Sequence, residues 1–264
     1  MSGRFGGRVA LITGAGSSTG IGFAVARLLS GEGARLAIAS TTDRIHERVA
    51  ELAPTGGIAS GHVGDLTRDG VAARIVEEVL AAHERIDILV NSAGMIAVGE
   101  PDSDLSLLDT TESDWDRVIA RNLRTAFSMT RAALPALLAA SPGGRLVFVS
   151  SVTGPLVSNP RSSGYAAAKA GLTGLARSVA VEYGRRGLTA NCVLPGWIAS
   201  GSQLPEEGLA GSNTPIGRSG TVDEVAQAIA FLASPGASYI TGQTLVVDGG
   251  NVVQEYKGPA AGYY

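Results

Sequence analysis

The chain has one cysteine, Cys192, three histidines, and only two lysines, Lys169 and Lys257, among 21 basic residues in 264. A single cysteine excludes an intrachain disulfide and suits a reducing compartment. His46, His62 and His83 lie far apart in sequence with no cysteine partners, so no metal site is expected. Charge is scarce as well, at 17% of residues with a net charge of −3. Such a balance gives no electrostatic footprint for nucleic acid or an anionic membrane surface, so neither is an expected partner. No apolar run approaches the length that spans a bilayer. The opening "MSGRFGGRVALITG" lacks the long apolar centre of a targeting peptide, and the expected location is cytoplasmic.

What is abundant is apolar: 45% hydrophobic residues, enough for a full core. Short, nearly continuous apolar runs recur at 8–13, 35–40, 58–62, 86–91, 145–151, 189–195 and 244–248. Continuous runs, as opposed to alternating ones, mark strands covered on both faces. Longer helical patterns lie between them, among them one unbroken pattern over 112–140 and another over 165–187. "TVDEVAQAIAFLAS" opens with Thr221 and Glu224, a capping-box signature. The expectation is a single-domain α/β Rossmann fold: a doubly wound, seven-stranded parallel sheet with helices on both faces and ligands at the strands' carboxyl ends. Two long segments follow such ends, the acidic stretch 95–114 and the Gly-, Ser- and Pro-rich stretch 199–220, and both are expected to wall a substrate site.

Two features carry chemistry. "LITGAGSSTGIG" (11–22) places a Gly-rich turn between the first strand and helix, where backbone can approach a pyrophosphate. It parses three ways: Gly14–Gly16–Gly20, Gly16–Gly20–Gly22, or Gly14–Gly20–Gly22 with a longer gap. "YAAAK" sets Tyr165 and Lys169 four apart on one helix face. A phenol is a poor acid–base group at neutral pH, and a neighbouring ammonium favours its ionised form. In a chain so poor in lysine, a lysine here points to a role that arginine fills badly. Upstream, "VSSVTG" ends a strand with Ser150 and Ser151, either of which could bond a substrate oxygen. Asn122 stands inside a helix, where asparagine is a mediocre former.

Taken in order, the glycine turn, "GDL" (64–66), "NSAG" (91–94), Asn122, "SSVTG" (150–154), "YAAAK" (165–169), "NCVLPGWI" (191–198) and "ITGQTLVVDGG" (240–250) resemble the short-chain dehydrogenase/reductase family over residues 6–250. The resemblance implies a catalytic tetrad of Asn122, Ser151, Tyr165 and Lys169. In it Tyr165 is the acid–base, Ser151 holds the substrate oxygen, Lys169 lowers the tyrosine pKa and binds the nicotinamide ribose, and Asn122 holds a relay water. It implies cofactor contacts from Asp65 and Leu66 to adenine, and from Asn91, Ser92, Ala93 and Gly94 to the cofactor's middle. Pro195, Gly196 and Ile198 would meet the nicotinamide amide. It also selects the third parse, with Gly14, Gly20 and Gly22 in the turn, an insertion around Gly16, and Ser18, Thr19 and Ile21 at phosphate-contacting positions.

Ser151 precedes Tyr165 by fourteen residues, one more than is usual in the family, which keeps Ser150 as an alternative. The position where NAD-preferring members carry an acid is Ser40, followed by Thr41, Thr42, Asp43 and Arg44. With no carboxylate there, NADP(H) is favoured, and Ser17, Ser18 and Thr19 could reach its 2′-phosphate; Asp43 keeps NAD(H) open. The implied activity is hydride transfer between NADP(H) and a carbonyl or secondary alcohol, of the 3-oxoacyl reductase kind. The alternatives are an NAD-dependent sugar, polyol or cyclic-alcohol dehydrogenase and a catalytically silent dinucleotide-binding scaffold. The enoyl-reductase branch spaces its tyrosine and lysine more widely. A homotetramer or homodimer is implied, and the tail 251–264 either packs on a neighbour or is disordered.

Overall fold

A computed structural model describes residues 3–53, 57–94 and 105–258. Seven strands form one parallel sheet: β1 (Val9–Thr13), β2 (Arg35–Ser40), β3 (Ala59–Val63), β4 (Ile88–Asn91), β5 (Arg145–Val149), β6 (Thr189–Pro195) and β9 (Thr244–Val247), in the order β3-β2-β1-β4-β5-β6-β9. The strands are the expected apolar runs: β2 and β6 keep their full spans, β3 is shifted by one residue, and the rest are trimmed by one or two. The four central ones, β1, β4, β5 and β6, are wholly buried because helices cover both faces. A two-stranded parallel pair, β7 (Ile198–Ala199) and β8 (Gly220–Thr221), stands apart from this sheet.

One face buries Ala10, Ile12, Ile88, Val147 and Val193 against α1 (Ile21–Gly31), α2 (Arg44–Leu52) and α8 (Val222–Ala233). The other packs Leu11, Leu89, Phe148 and Cys192 against α3 (Val71–His83), α5 (Thr125–Ala139) and α6 (Ser163–Tyr183). Thr221 and Glu224 close the expected capping box on α8: the Thr221 Oγ1 accepts from the Glu224 amide at 3.1 Å, and Glu224 accepts from the Thr221 amide at 2.7 Å. The strand order reverses between β1 and β4, so the crevice beside their carboxyl ends lies at a topological switch point.

Two helical expectations change. The pattern over 112–140 is not one α-helix: α4 (Glu112–Ile119) passes through a π-helical turn, Ala120–Arg124, into α5. The stretch 199–220 holds a helix, α7 (Pro205–Ser212), where a loop was expected; Pro205 opens it and the Glu207 carboxylate accepts the Leu204 amide at 2.9 Å. Of the acidic stretch 95–114, residues 95–104 lie outside the described residues. The tail is described to Gly258; its Gln254 Nε2 donates to the Asn213 carbonyl at 2.9 Å, tying it to the segment after α7.

Candidate active site

The glycine turn leaves β1 at Thr13, whose Oγ1 accepts from the amides of Ser92 and Ala93, each at 3.1 Å. That bond holds the exits of β1 and β4 together. Gly14 follows with φ +71°, and a Cβ on it would stand 2.6 Å from the Ser92 carbonyl oxygen. A Cβ on Gly22 would stand 2.6 Å from the Gly14 carbonyl oxygen, so the turn closes only with glycine at both ends. Gly16, assigned to an insertion from sequence, also has a packing reason: its Cβ position is 2.8 Å from the Ser40 Cβ. Gly20 precedes α1 in extended conformation and offers no side chain to cap it, which leaves the helix's first amides to an anion. Ser17 and Thr19 join hydroxyls at 3.3 Å in that turn, Ser18 lies between them, and Ile21 begins the helix.

The end of β2 abuts this turn. Ser40 Oγ donates to the Thr42 carbonyl at 2.8 Å, and Arg44 Nε donates to Thr42 Oγ1 at 3.2 Å. Thr41 stands exposed between them, and Asp43 makes no side-chain capping bond to α2. After β3, Asp65 accepts from the amide and hydroxyl of Thr67 at 3.0 and 2.6 Å. Its carboxyl is held below the usual range by the Thr67 hydroxyl bond first, against a burial penalty, with Arg68 and Arg121 adding to the lowering. Leu66 is buried beside it. In β4, Asn91 turns inward and donates to Thr130 Oγ1 at 3.0 Å, so its side chain serves the α5 packing. Gly94, at φ +128°, presses on the π-turn: its Cβ position is 3.0 Å from Asn122 Oδ1.

Asn122 is buried, and its Nδ2 donates to the Val118 carbonyl at 3.1 Å. π-Turns are uncommon and recur at functional sites. Tyr165 and Lys169 occupy successive turns of α6. Lys169 is only 3% exposed; its Nζ donates to the Val149 carbonyl at the end of β5 (3.2 Å) and lies 5.4 Å from the centre of the Tyr165 ring. The two serines divide their work. Ser150 is buried and donates to the Lys169 carbonyl at 2.8 Å, whereas Ser151 hydrogen-bonds the Tyr165 phenol and accepts from the Thr153 amide at 3.1 Å.

The electrostatics differ from one expectation. The Tyr165 phenol is not lowered by Lys169: burial pushes it up, the Ser151 hydroxyl pulls part of the way back, and the Glu207 carboxylate pushes it up again. The reason is geometric, because the ammonium is turned onto the Val149 carbonyl and is itself costly to bury. Burial brings Lys169 down to about 8, while the neighbouring Cys192 thiol is pushed up to about 12 by its own burial.

Pro195 ends β6, the Gly196 amide donates to the Val247 carbonyl at 3.0 Å, and Ile198 starts β7. A Cβ on Gly196 would stand 2.6 Å from the Asp248 Cβ, and the Thr19 side chain meets Gly201. The 199–220 segment therefore meets the glycine turn at Gly201, and its Glu207 carboxylate acts on the Tyr165 phenol through charge. Sequence reasoning missed Thr13 as a clasp, the π-turn and Glu207. Pro205 followed by Glu207 was the available signal for α7.

A protein-family model described as "Enoyl-(Acyl carrier protein) reductase" matches residues 14–251. The chain is 38% identical to the 3-oxoacyl-[acyl-carrier-protein] reductase FabG of Thermotoga maritima, over 95% of this chain and 100% of that one. It is 36% identical to FabG of Escherichia coli (93% and 98% covered) and 35% identical to the E. coli oxidoreductase UcpA (96% and 97%). A solved double mutant of a Serratia marcescens short-chain dehydrogenase/reductase superposes with a TM-score of 0.84 at 29% identity, covering 94% of this chain and 99% of that one. With the parallel sheet, the glycine turn at its switch point and these full-length likenesses together, the chain belongs to the short-chain dehydrogenase/reductase family and is an NAD(P)-dependent oxidoreductase.

Proposed function

We propose that the protein is an NADP(H)-dependent carbonyl reductase acting on 3-oxoacyl thioesters or related ketones. The observation that carries this reading is the placement of Tyr165 between Ser151 and Lys169 at the carboxyl ends of β5 and β6. NADPH, when bound, supplies the hydride. Gly14, Gly22 and the open amino end of α1 fit its pyrophosphate, and Ser40, Thr42 and Arg44 fit a 2′-phosphate.

Ser151 donates to the substrate oxygen and Tyr165 protonates it as charge develops there. A phenol pushed up by burial stays protonated at neutral pH, which favours reduction over alcohol oxidation. Lys169, brought down to about 8, gives up a proton to replace it more readily than an ordinary lysine. Asn122, held by the π-turn, positions the relay water that feeds Lys169. The close Tyr165–Lys169 spacing favours C=O over C=C chemistry, and the names of the FabG relatives support a 3-oxoacyl substrate.

Phe127 on α5 and Val181 on α6, 47% and 86% exposed, favour assembly through these helices into a homotetramer or homodimer. A cytoplasmic location agrees with the single buried, free cysteine. The test follows NADPH and NADH absorbance against 3-oxoacyl thioesters, simple ketones and polyols. Preferential turnover of NADPH with the oxo substrates is expected. A clear NADH preference, or activity only in the oxidative direction on polyols, would overturn the reading in favour of Asp43 as a ribose ligand.

A further inference from the structure

Away from the cofactor crevice, four polar side chains of β3 and α3 form one continuous chain. Glu78 Oε2 lies 2.9 Å from His62 Nδ1, His62 Nε2 lies 2.8 Å from Ser60 Oγ, and Ser60 Oγ lies 2.7 Å from His83 Nε2. Ser60 and His62 are two apart on a strand and so share a face, and α3 brings Glu78 and His83 to it. His62 and His83 lie 21 positions apart in sequence, and the fold joins them through one hydroxyl.

The hydrogens in this chain follow from the chemistry of its ends. The Glu78 carboxyl is held below its usual range, chiefly by the His62 bond and then by Arg74, so it is an ionised acceptor. That acceptor holds the His62 hydrogen on Nδ1, so in the neutral imidazole Nε2 is the bare nitrogen. With that tautomer Ser60 donates to the lone pair and accepts from His83 Nε2–H. Burial first, then the Arg35 charge, holds His83 below its ordinary value, so it stays neutral, and its Nδ1 meets no partner among the described residues. A serine hydroxyl aimed at a carboxylate-backed imidazole is the arrangement that activates a nucleophile.

We propose that Ser60 is an acyl-transfer nucleophile for small activated esters, with His62 as its base and Glu78 orienting the imidazole. The site lies near the amino end of an edge strand, where Ser60 is partly exposed and Ile58 beside it is 59% exposed. Residues 58 and 64 bond β2, through Leu36 N to Ile58 O and Gly64 N to Ser40 O, and Arg74 takes the Val63 carbonyl from the open side. By strand alternation the Gly61 amide then faces the open edge, next to the nucleophile, as a donor for the oxyanion. In acylation the Ser60 Oγ–acyl carbon bond forms, the ester C–O bond breaks, and the serine proton passes to His62 Nε2 and on to the departing oxygen. Water then cleaves the acyl-serine, releasing the carboxylic acid and restoring the hydroxyl.

The test treats the full chain, without nicotinamide cofactor, with p-nitrophenyl acetate and separately with a fluorophosphonate. A burst of p-nitrophenolate equal to the chain concentration is expected, with the acyl or phosphonyl mass on the Ser60 peptide and none in Ser60→Ala. Glu78→Gln keeps an acceptor for His62 but loses the charge, and should slow labelling about tenfold or more while its thermal melt and its NADPH-dependent reductase activity stay at wild-type values. An adduct on another residue, no adduct on the folded wild-type chain, or wild-type labelling of Glu78→Gln each overturns the proposal.

Discussion

Replacing Lys169 by methionine should make the protein more stable at neutral pH while removing its activity. Lys169 is 3% exposed, and its pKa falls from the ordinary 10.5 to about 8 because burial penalises the ammonium. Below pH 8 the side chain is protonated in both folded and unfolded chains, so the folded state bears the full penalty, on the order of 3 kcal/mol. Between about 8 and 10.5 the unfolded chain binds more protons than the folded one, so wild-type stability rises with pH and the penalty is relieved. Methionine is similar in length and apolar; it loses the Nζ bond to the Val149 carbonyl, about 1 kcal/mol, and the ammonium's contact with the Tyr165 ring. The net expectation is a gain of about 2 kcal/mol at pH 7, shrinking as pH approaches 10. Urea unfolding of both proteins at pH 7.0 and 9.5 measures it, alongside NADPH turnover. A variant less stable than wild type at pH 7, or a difference that does not change with pH, would refute the reasoning that the lysine is kept for chemistry at a cost to the fold.

Tyr165→Phe should fold and bind cofactor as the wild type does but lose about 10²–10⁴-fold in turnover, read by steady-state kinetics and cofactor titration; near-normal turnover would remove Tyr165 as the acid. Ser150→Ala and Ser151→Ala should separate. The first removes a buried bond to the Lys169 carbonyl and lowers stability by about 0.5–1.5 kcal/mol in urea, while the second leaves stability nearly unchanged and lowers turnover. Gly14→Ala forces a Cβ onto the Ser92 carbonyl at positive φ and should cost about 2–4 kcal/mol, with loss of cofactor affinity by fluorescence titration. Arg44→Glu should shift preference from NADPH toward NADH without altering the melt, because Arg44 is exposed and its side-chain bond is to the neighbouring Thr42 hydroxyl.

The strands were legible because burial on both faces forces continuous apolar runs: β2 and β6 match their expected 35–40 and 189–195 spans, β3 is shifted by one residue, and the others are trimmed by one or two. The glycine turn and the Tyr165–Lys169 pair were legible because each depends on local spacing, a turn between strand and helix or one helix face. The break of the long 112–140 pattern at Ala120–Arg124 was not legible, since a π-turn requires no telltale glycine or proline. Nor was α7, whose Gly- and Ser-rich composition reads as loop until Pro205 and Glu207 are given a partner amide.

By itself, then, the sequence determined the layered parallel sheet, the family resemblance and the residue types of the site, because local periodicity and short spacings encode them. Tertiary structure decided what those residues experience. It assigned Ser150 to the Lys169 backbone and Ser151 to the phenol, raised Tyr165 and brought Lys169 down to about 8. It also joined His62 to His83 through Ser60. Hydrogen-bond partners and desolvation depend on atoms distant in the chain, and only the packed fold brings those atoms together.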